Sequence, residues 1–167
     1  MTPKLDLPDA VETLLFGILA DHIAADPAIR RVVKTLKRWD DSPADRADLM
    51  APGTMPCLEL WPTGGPDDYA TPDTMLADLY VDVVMSVAGL RIDNAQNLWG
   101  AVVRSVRPKT VAAANAFRDR LVKEGGAETG LIRVTRPAFV TKPDAANQAY
   151  FVASGQLAVR YFSSLTK

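Results

Sequence analysis

The chain has 167 residues, 48% of them hydrophobic and 23% charged, a balance typical of a folded domain rather than a disordered segment. Its 19 basic and 20 acidic residues leave a formal net charge of −1, so no global field recruits nucleic acid or an anionic membrane surface. The single cysteine, Cys57, excludes an internal disulfide and a cysteine-based zinc site. We therefore expect one soluble domain over residues 1–167, with no membrane partner and no sequence-specific nucleic-acid partner.

The N-terminal third predicts two helical segments followed by a loop. Apolar residues from Val11 to Ile23 recur at helical spacing and form one broad face. The stretch "DPAIRRVVKTLKRWDD" then begins with Asp26 at the N-cap and Pro27 in the first helical turn, and it keeps the helical spacing to Trp39. Residues 40–54 are dense in Asp, Pro and Ala without a sustained period, which predicts a loop.

A pair of antiparallel strands is predicted next. In the stretch "MPCLELWP", Leu58 and Leu60 alternate with Cys57, Glu59 and Trp61. Pro56 and Pro62 bracket these residues, as expected of a short strand. The segment "TGGPDDYATPD", residues 63–73, is rich in Gly, Pro and Asp and predicts a long flexible loop. After it, apolar residues alternate from Leu79 to Val87, which predicts the partner strand.

Two helices are predicted after this strand. A helical pattern begins at Asp93 within "NAQNLWGAVVRSVRP", and Pro108 ends it. A second helical pattern covers residues 110–124, and Gly125 with Gly126 can supply the left-handed turn that ends it.

Two further strands are predicted in the C-terminal part of the chain. The stretch "GLIRVTRPAFVT" indicates a strand interrupted at Pro137, and "NQAYFVASGQLAVRYFSS" indicates a long closing strand. The closing strand exceeds the usual five or six residues, so part of it should project beyond the sheet or pair outside the monomer. The order α-β-β-α-β-β predicts an α+β domain in which helices pack on one face of a four-stranded antiparallel or mixed sheet.

The candidate catalytic groups each have a structural explanation. Cys57 is flanked by apolar residues, and the only histidine, His22, lies on the apolar stripe of the first helix. Paired aspartates such as Asp67 and Asp68 fall in predicted loops, where such residues commonly cap turns. We therefore expect no enzymatic activity, no cofactor and no metal. The alternative from a different class is a small α+β enzyme or ligand-binding domain that uses residues 62–75.

The layout of the chain resembles a known family. The phrases "LPDAVETLLFGILA", "MPCLELWP", "LYVDVVMSVAG", "NAQNLWGAVVRSVRP" and "AYFVASGQLAVRYF" occur in an order that is similar to the tail terminator, or tail completion, proteins of long-tailed bacteriophages and related tail-like particles. The resemblance implies an α+β fold and a homo-oligomeric, hexameric ring on the last ring of tail tube protein. Such a ring stops tube growth and offers a surface to the head connector or neck protein. It also implies a virion location, with assembly in the host cytoplasm.

The resemblance implies two contact surfaces, one for the tail tube and one for the neighbouring subunit of the ring. We expect the contact with the tube to lie in the mobile loop that contains Trp61, Asp67, Asp68 and Tyr69. Arg104 and Arg107, at the end of the crossing helix, are expected to pair with carboxylates of a neighbouring subunit. Another head–tail joining protein, such as a head completion or neck component, is the alternative within the same class, because it too needs rings and long contact segments.

Overall fold

The structure of the protein, a computed structural model, describes residues 10–38, 55–71, 74–88, 92–107, 110–141 and 150–164. Within them the elements are, in chain order, α1 (Val11–Ala25), α2 (Pro27–Val32), β1 (Thr35–Arg38), β2 (Cys57–Thr71), β3 (Thr74–Ala88), α3 (Ile92–Val106), α4 (Val111–Lys123), β4 (Ala127–Thr141) and β5 (Tyr150–Ser164). The predicted loop over residues 40–54 and the predicted helical position of Trp39 lie outside the described residues.

The described strands form one five-stranded mixed sheet in the order β1-β2-β3-β5-β4. The pair β1 and β2 is parallel, and every other neighbouring pair is antiparallel. The α+β class is therefore confirmed. The predicted four strands are not matched, because β1 adds a fifth strand before the two predicted pairs.

Strand β1 replaces the second half of a predicted helix. Helix α2 begins as expected, since the Asp26 carboxylate accepts hydrogen bonds from the backbone N–H groups of Ala28 and Ile29. It ends after six residues, and the Lys34 N–H then donates to the carbonyl of Pro56 at 2.8 Å. This contact starts the parallel pairing of β1 with β2, and long-range pairing overrides the local helical spacing.

The predicted loop over residues 63–73 is wrong for the described residues, because β2 continues to Thr71 and pairs with β3. Two prolines, Pro62 and Pro66, lie inside β2. A proline is tolerated only where its missing N–H has no ladder partner. On its outer side β2 is paired by β1 only over Cys57–Leu60, and no other described strand flanks it. Beyond Leu60, β2 is therefore an edge strand.

The closing strand β5 does not project from the sheet, because it pairs with β3 over its whole length, from Thr74 opposite Ser164 to Ala88 opposite Tyr150. The strand predicted to be interrupted at Pro137 extends over Ala127–Thr141, and its pairing with β5 does shift register between Arg136 and Phe139, on either side of this proline. It is β4, the edge on the other side of the sheet, where a proline costs little.

The core lies between one face of the sheet and the three longer helices. Odd-numbered residues of β3 and β5 alternate onto this face, and they share one buried cluster with residues of α1, α3 and α4. Members of that cluster include Leu15, Leu19, Val81, Val83, Leu98, Val102, Leu121, Leu157 and Val159. None of the described helices is long and apolar enough to cross a membrane.

The boundaries of α4 follow from local chemistry, as the sequence predicts. The Thr110 hydroxyl accepts a hydrogen bond from the Ala113 N–H and caps the N-terminus. After the last turn, Gly126 has a φ of 75°, a conformation in which a side chain would clash with the backbone. The predicted helix stop at this glycine is confirmed.

Candidate functional site

The face of the sheet opposite the helices carries a polar cross-strand cluster. Its first half centres on Asp78 of β3, which is 6% exposed. Arg160 of β5 donates from Nε and Nη2 to the two Asp78 oxygens at 3.1 and 3.2 Å, and Arg133 of β4 donates from Nη2 at 2.5 Å. A buried carboxylate is stable when it is paired and hydrogen-bonded in this way.

The second half of the polar cross-strand cluster centres on Asp82, which lies four residues after Asp78 in β3 and on the same face of the sheet. Its Oδ1 accepts from Gln156 Nε2 at 2.8 Å and from Arg136 Nη2 at 3.2 Å. The Gln156 amide oxygen in turn accepts from the Thr135 hydroxyl at 2.7 Å. The cluster thus ties β3, β5 and β4 together across the sheet, in addition to the backbone ladders.

Electrostatics favour the ionised form of Asp78. Burial alone would raise the pKa of this carboxyl, but the hydrogen bonds and charges of Arg160 and Arg133 outweigh burial and lower the pKa below its usual value of 3.8. On the neighbouring strand, burial and the nearby Glu59 raise the pKa of the Cys57 thiol to about 11. Cys57 is therefore a neutral, buried side chain rather than a nucleophile.

The structure places the predicted tube-contact residues along one strand. Trp61 is half-buried in β2, opposite Asp82 of β3. The backbone of residues 67–69 lies near the far end of the same strand, paired with residues 75–77 of β3. At roughly 3.3 Å per residue, Trp61 and Asp67 are about 20 Å apart along the strand. The segment is thus an extended hairpin end rather than a loop, and Trp61 lies at its base.

The two arginines predicted for the subunit interface lie in different surroundings. Arg107 donates from Nε and Nη2 to the Ile132 carbonyl at 3.2 and 3.1 Å, which anchors α3 to β4. Arg104 is exposed, and its guanidinium lies along Gly100 of the same helix. Arg107 therefore has a structural role within the subunit, whereas the Arg104 side chain is directed to the surface.

His22 lies at the boundary of the core with one nitrogen satisfied, as the sequence predicts. Its Nε2 is 3.0 Å from the carbonyl oxygen of Ser105, and only a protonated nitrogen can donate to that acceptor. The ring stacks on Phe117 with the centroids 3.7 Å apart. These contacts join α1 to α3 and α4. Among the described residues, no group of three or more His, Cys, Asp or Glu side chains is arranged to hold a metal ion.

The sequence predicts that Gln156 and Arg160 lie on the polar face of the closing strand, but it does not predict the cross-strand cluster that they form. A signal was present, because Asp78, Asp82, Gln156 and Arg160 occupy even-numbered positions that alternate with the core residues. Their partners on β4 could not be deduced, since Arg133 is 55 residues from Asp78 in the chain.

Comparison with known proteins adds no family to this description. No protein-family model matches the chain, and no curated protein matches it.

Proposed function

We propose that the protein is a structural, non-enzymatic virion protein of the tail terminator type. Six copies would form a ring on the end of the tail tube, stop its growth and present a surface to the head connector or neck protein. The proposal combines the resemblance in sequence layout with one structural observation, the length and shape of the β2–β3 hairpin.

The hairpin is much longer than the helices that cover the sheet. β2 and β3 have 15 residues each, which corresponds to about 50 Å of extended chain. Helices α1 and α3 also have 15 residues each but extend over only about 22 Å. The sheet is therefore longer than any one helix, and the hairpin end carries the acidic and aromatic sequence Asp67, Asp68 and Tyr69.

The polar cross-strand cluster supports a mechanical role for this hairpin. The Asp78 carboxylate joins β3 to β4 and β5 through two arginines, and the Asp82 carboxylate repeats the arrangement through Arg136 and Gln156. A sheet that is cross-linked in this way holds its strands in a fixed relative orientation. A hairpin on such a base can present its end to a partner at little entropic cost.

Ring closure requires a heterologous interface, in which one patch of a subunit meets a different patch of the next. Both predicted arginines are exposed, but Arg104 is the better one for such a contact, because Arg107 already binds the Ile132 carbonyl. We expect the hairpin end to contact the tail tube protein, and Arg104 to contact a carboxylate on the neighbouring subunit.

Substitution of the acidic pair tests the hairpin contact. We expect Asp67→Ala/Asp68→Ala to leave the thermal unfolding midpoint within about 1 °C, and to weaken binding to the tail tube protein of the same particle by tenfold or more. The matched control is Asp119→Ala, which removes an exposed carboxylate from α4. Binding is measured by co-sedimentation with assembled tubes. Equal binding by the double variant, the control and the unmodified protein would contradict the assigned contact.

A further inference from the structure

A cavity of about 480 Å³ lies between α4 and β4, on the helical side of the sheet. Its apolar wall includes Phe117 and Ile132, and the half-exposed Leu131 lies at its rim. The volume is within the range of sites that hold small organic molecules. Neither the sequence patterns nor the proposed ring assigns a role to it.

Three arginines line this cavity: Arg107, Arg118 and Arg133. None of the described residues that line the cavity is acidic. The Arg133 guanidinium is paired with Asp78 on the opposite face of the sheet, so its charge is not directed into the cavity. Arg107 and Arg118 instead donate to backbone carbonyls, so their charges have no carboxylate partner among the described residues. The cavity therefore has an excess of positive charge beside an apolar wall.

The same hydrogen bonds hold the guanidinium groups of Arg107 and Arg118 in place without exhausting their donors. Arg118 uses only Nε, at 3.3 Å from the Thr129 carbonyl oxygen, and Arg107 uses Nε and one Nη2 donor on the Ile132 carbonyl. Each guanidinium carries five N–H donors. Arg118 thus keeps most of its donors, and they are not committed to any other described residue. Preorganised guanidinium groups with spare donors bind carboxylates well, because they match the planar fork of the anion.

We propose that this cavity binds a carboxylate carried on an apolar or aromatic group. The carboxylate would accept hydrogen bonds from Arg118 and its neighbours, and the apolar group would pack on Phe117 and Leu131. This chemistry has two sources. One is a free organic acid; the other is the acidic and aromatic segment of a second copy, residues 65–70, and only this second source rests on the proposed ring.

The test uses the purified full-length chain and isothermal titration calorimetry. The probes are benzoate, its uncharged analogue benzamide, acetate, and a peptide of residues 65–70, Gly-Pro-Asp-Asp-Tyr-Ala. We expect benzoate or the peptide to bind at least tenfold more tightly than benzamide and acetate, because only these two combine charge with an apolar group. Tighter binding of the peptide identifies the second copy as the source, and tighter binding of benzoate identifies a free acid.

Variants locate the site. Arg118→Gln should reduce the affinity for the better probe about tenfold, and Arg118→Lys should recover part of the loss. The matched control is Arg120→Gln, which changes an arginine of the same helix that pairs with Glu124 and does not line the cavity. Absence of binding by benzoate and peptide alike, or binding that Arg118→Gln and Arg120→Gln reduce equally, would overturn the proposal. Because these titrations need no ring, a failure to form rings leaves their result interpretable.

Discussion

Helix α3 packs on β5 where Trp99 contacts Gly155, and this contact gives the sharpest test of the packing. Trp99 lies on Gly155 of β5, and a Cβ added at Gly155 would be 2.5, 2.7 and 2.8 Å from the ring atoms Cη2, Cζ3 and Cζ2. Real Cβ atoms do not come so close to other heavy atoms, so Gly155→Ala must displace an indole ring that is wedged between helix and sheet.

The expected magnitude follows from known costs of overpacking. Adding one methyl to a filled core costs about 1–3 kcal/mol. A loss of about 2 kcal/mol lowers the unfolding midpoint of a chain of this size by roughly 4–8 °C. The control is Gly17→Ala in α1, where the nearest atom to the new Cβ is Arg38 Nη2 at an ordinary 3.8 Å. There the same substitution should stabilise the protein by about 1 kcal/mol, because alanine favours a helix interior.

Urea unfolding monitored by circular dichroism measures both changes. A third variant, Trp99→Leu, removes the ring, and in that background Gly155→Ala should cost less than about 0.5 kcal/mol, which would show that the two sites are coupled. If Gly155→Ala is neutral in the unmodified protein, or costs as much in the Trp99→Leu background as in the presence of the indole, the assigned packing of α3 on β5 is wrong.

Three further predictions concern single side chains. Arg160 and Arg133 lower the pKa of Asp78 in the folded protein, so the ionised carboxylate stabilises the fold at neutral pH, and this stabilisation is lost as the pH falls below the usual aspartate range. Asp78→Asn should therefore cost about 1–3 kcal/mol of unfolding free energy at pH 7 and much less near pH 2.5, as measured by urea titrations at both pH values. The Cys57 thiol, buried and with a pKa of about 11, should react with Ellman's reagent at pH 8 at least a hundredfold more slowly in the native protein than in 6 M guanidinium chloride. Asp26→Ala, which removes the cap of α2, should cost about 1 kcal/mol, whereas Asp26→Asn, measured by the same urea titration, should cost less than half as much.

Each of these three predictions has a contradicting result. A constant difference in unfolding free energy between Asp78→Asn and the unmodified protein from pH 7 to pH 2.5 would show that the Asp78 ion pairs contribute nothing. Rapid labelling of native Cys57 would show that its strand is accessible. Equal losses of unfolding free energy in Asp26→Ala and Asp26→Asn would show that the capping hydrogen bonds do not stabilise α2.

The elements with strong local signals were predictable from the sequence. The alternation from Leu79 to Val87 indicates β3, and the stretch from Asp93 to Pro108 indicates α3. Both signals arise from one buried face, which imposes a period of two or of about 3.6 on neighbouring residues.

Features that depend on distant partners were not predictable. Strand β1 exists because Lys34 pairs with the backbone at Pro56, more than twenty positions away, while its local sequence continues a helical pattern. Residues 63–71 form a strand of the hairpin instead of the predicted loop, because their backbone hydrogen bonds with β3 favour the strand more than their glycines and prolines disfavour it. The α4–β4 cavity has the same origin, since Arg107 and Arg118 come to line it together only in the folded chain.

Electron microscopy of the chain mixed with assembled tail tubes tests the central claim most directly. We predict a ring of six subunits on the head-proximal end of each tube, with the end of the β2–β3 hairpin directed towards the tube. A protein that remains monomeric in light scattering and never decorates a tube end, even when tubes are in excess, would contradict the terminator function.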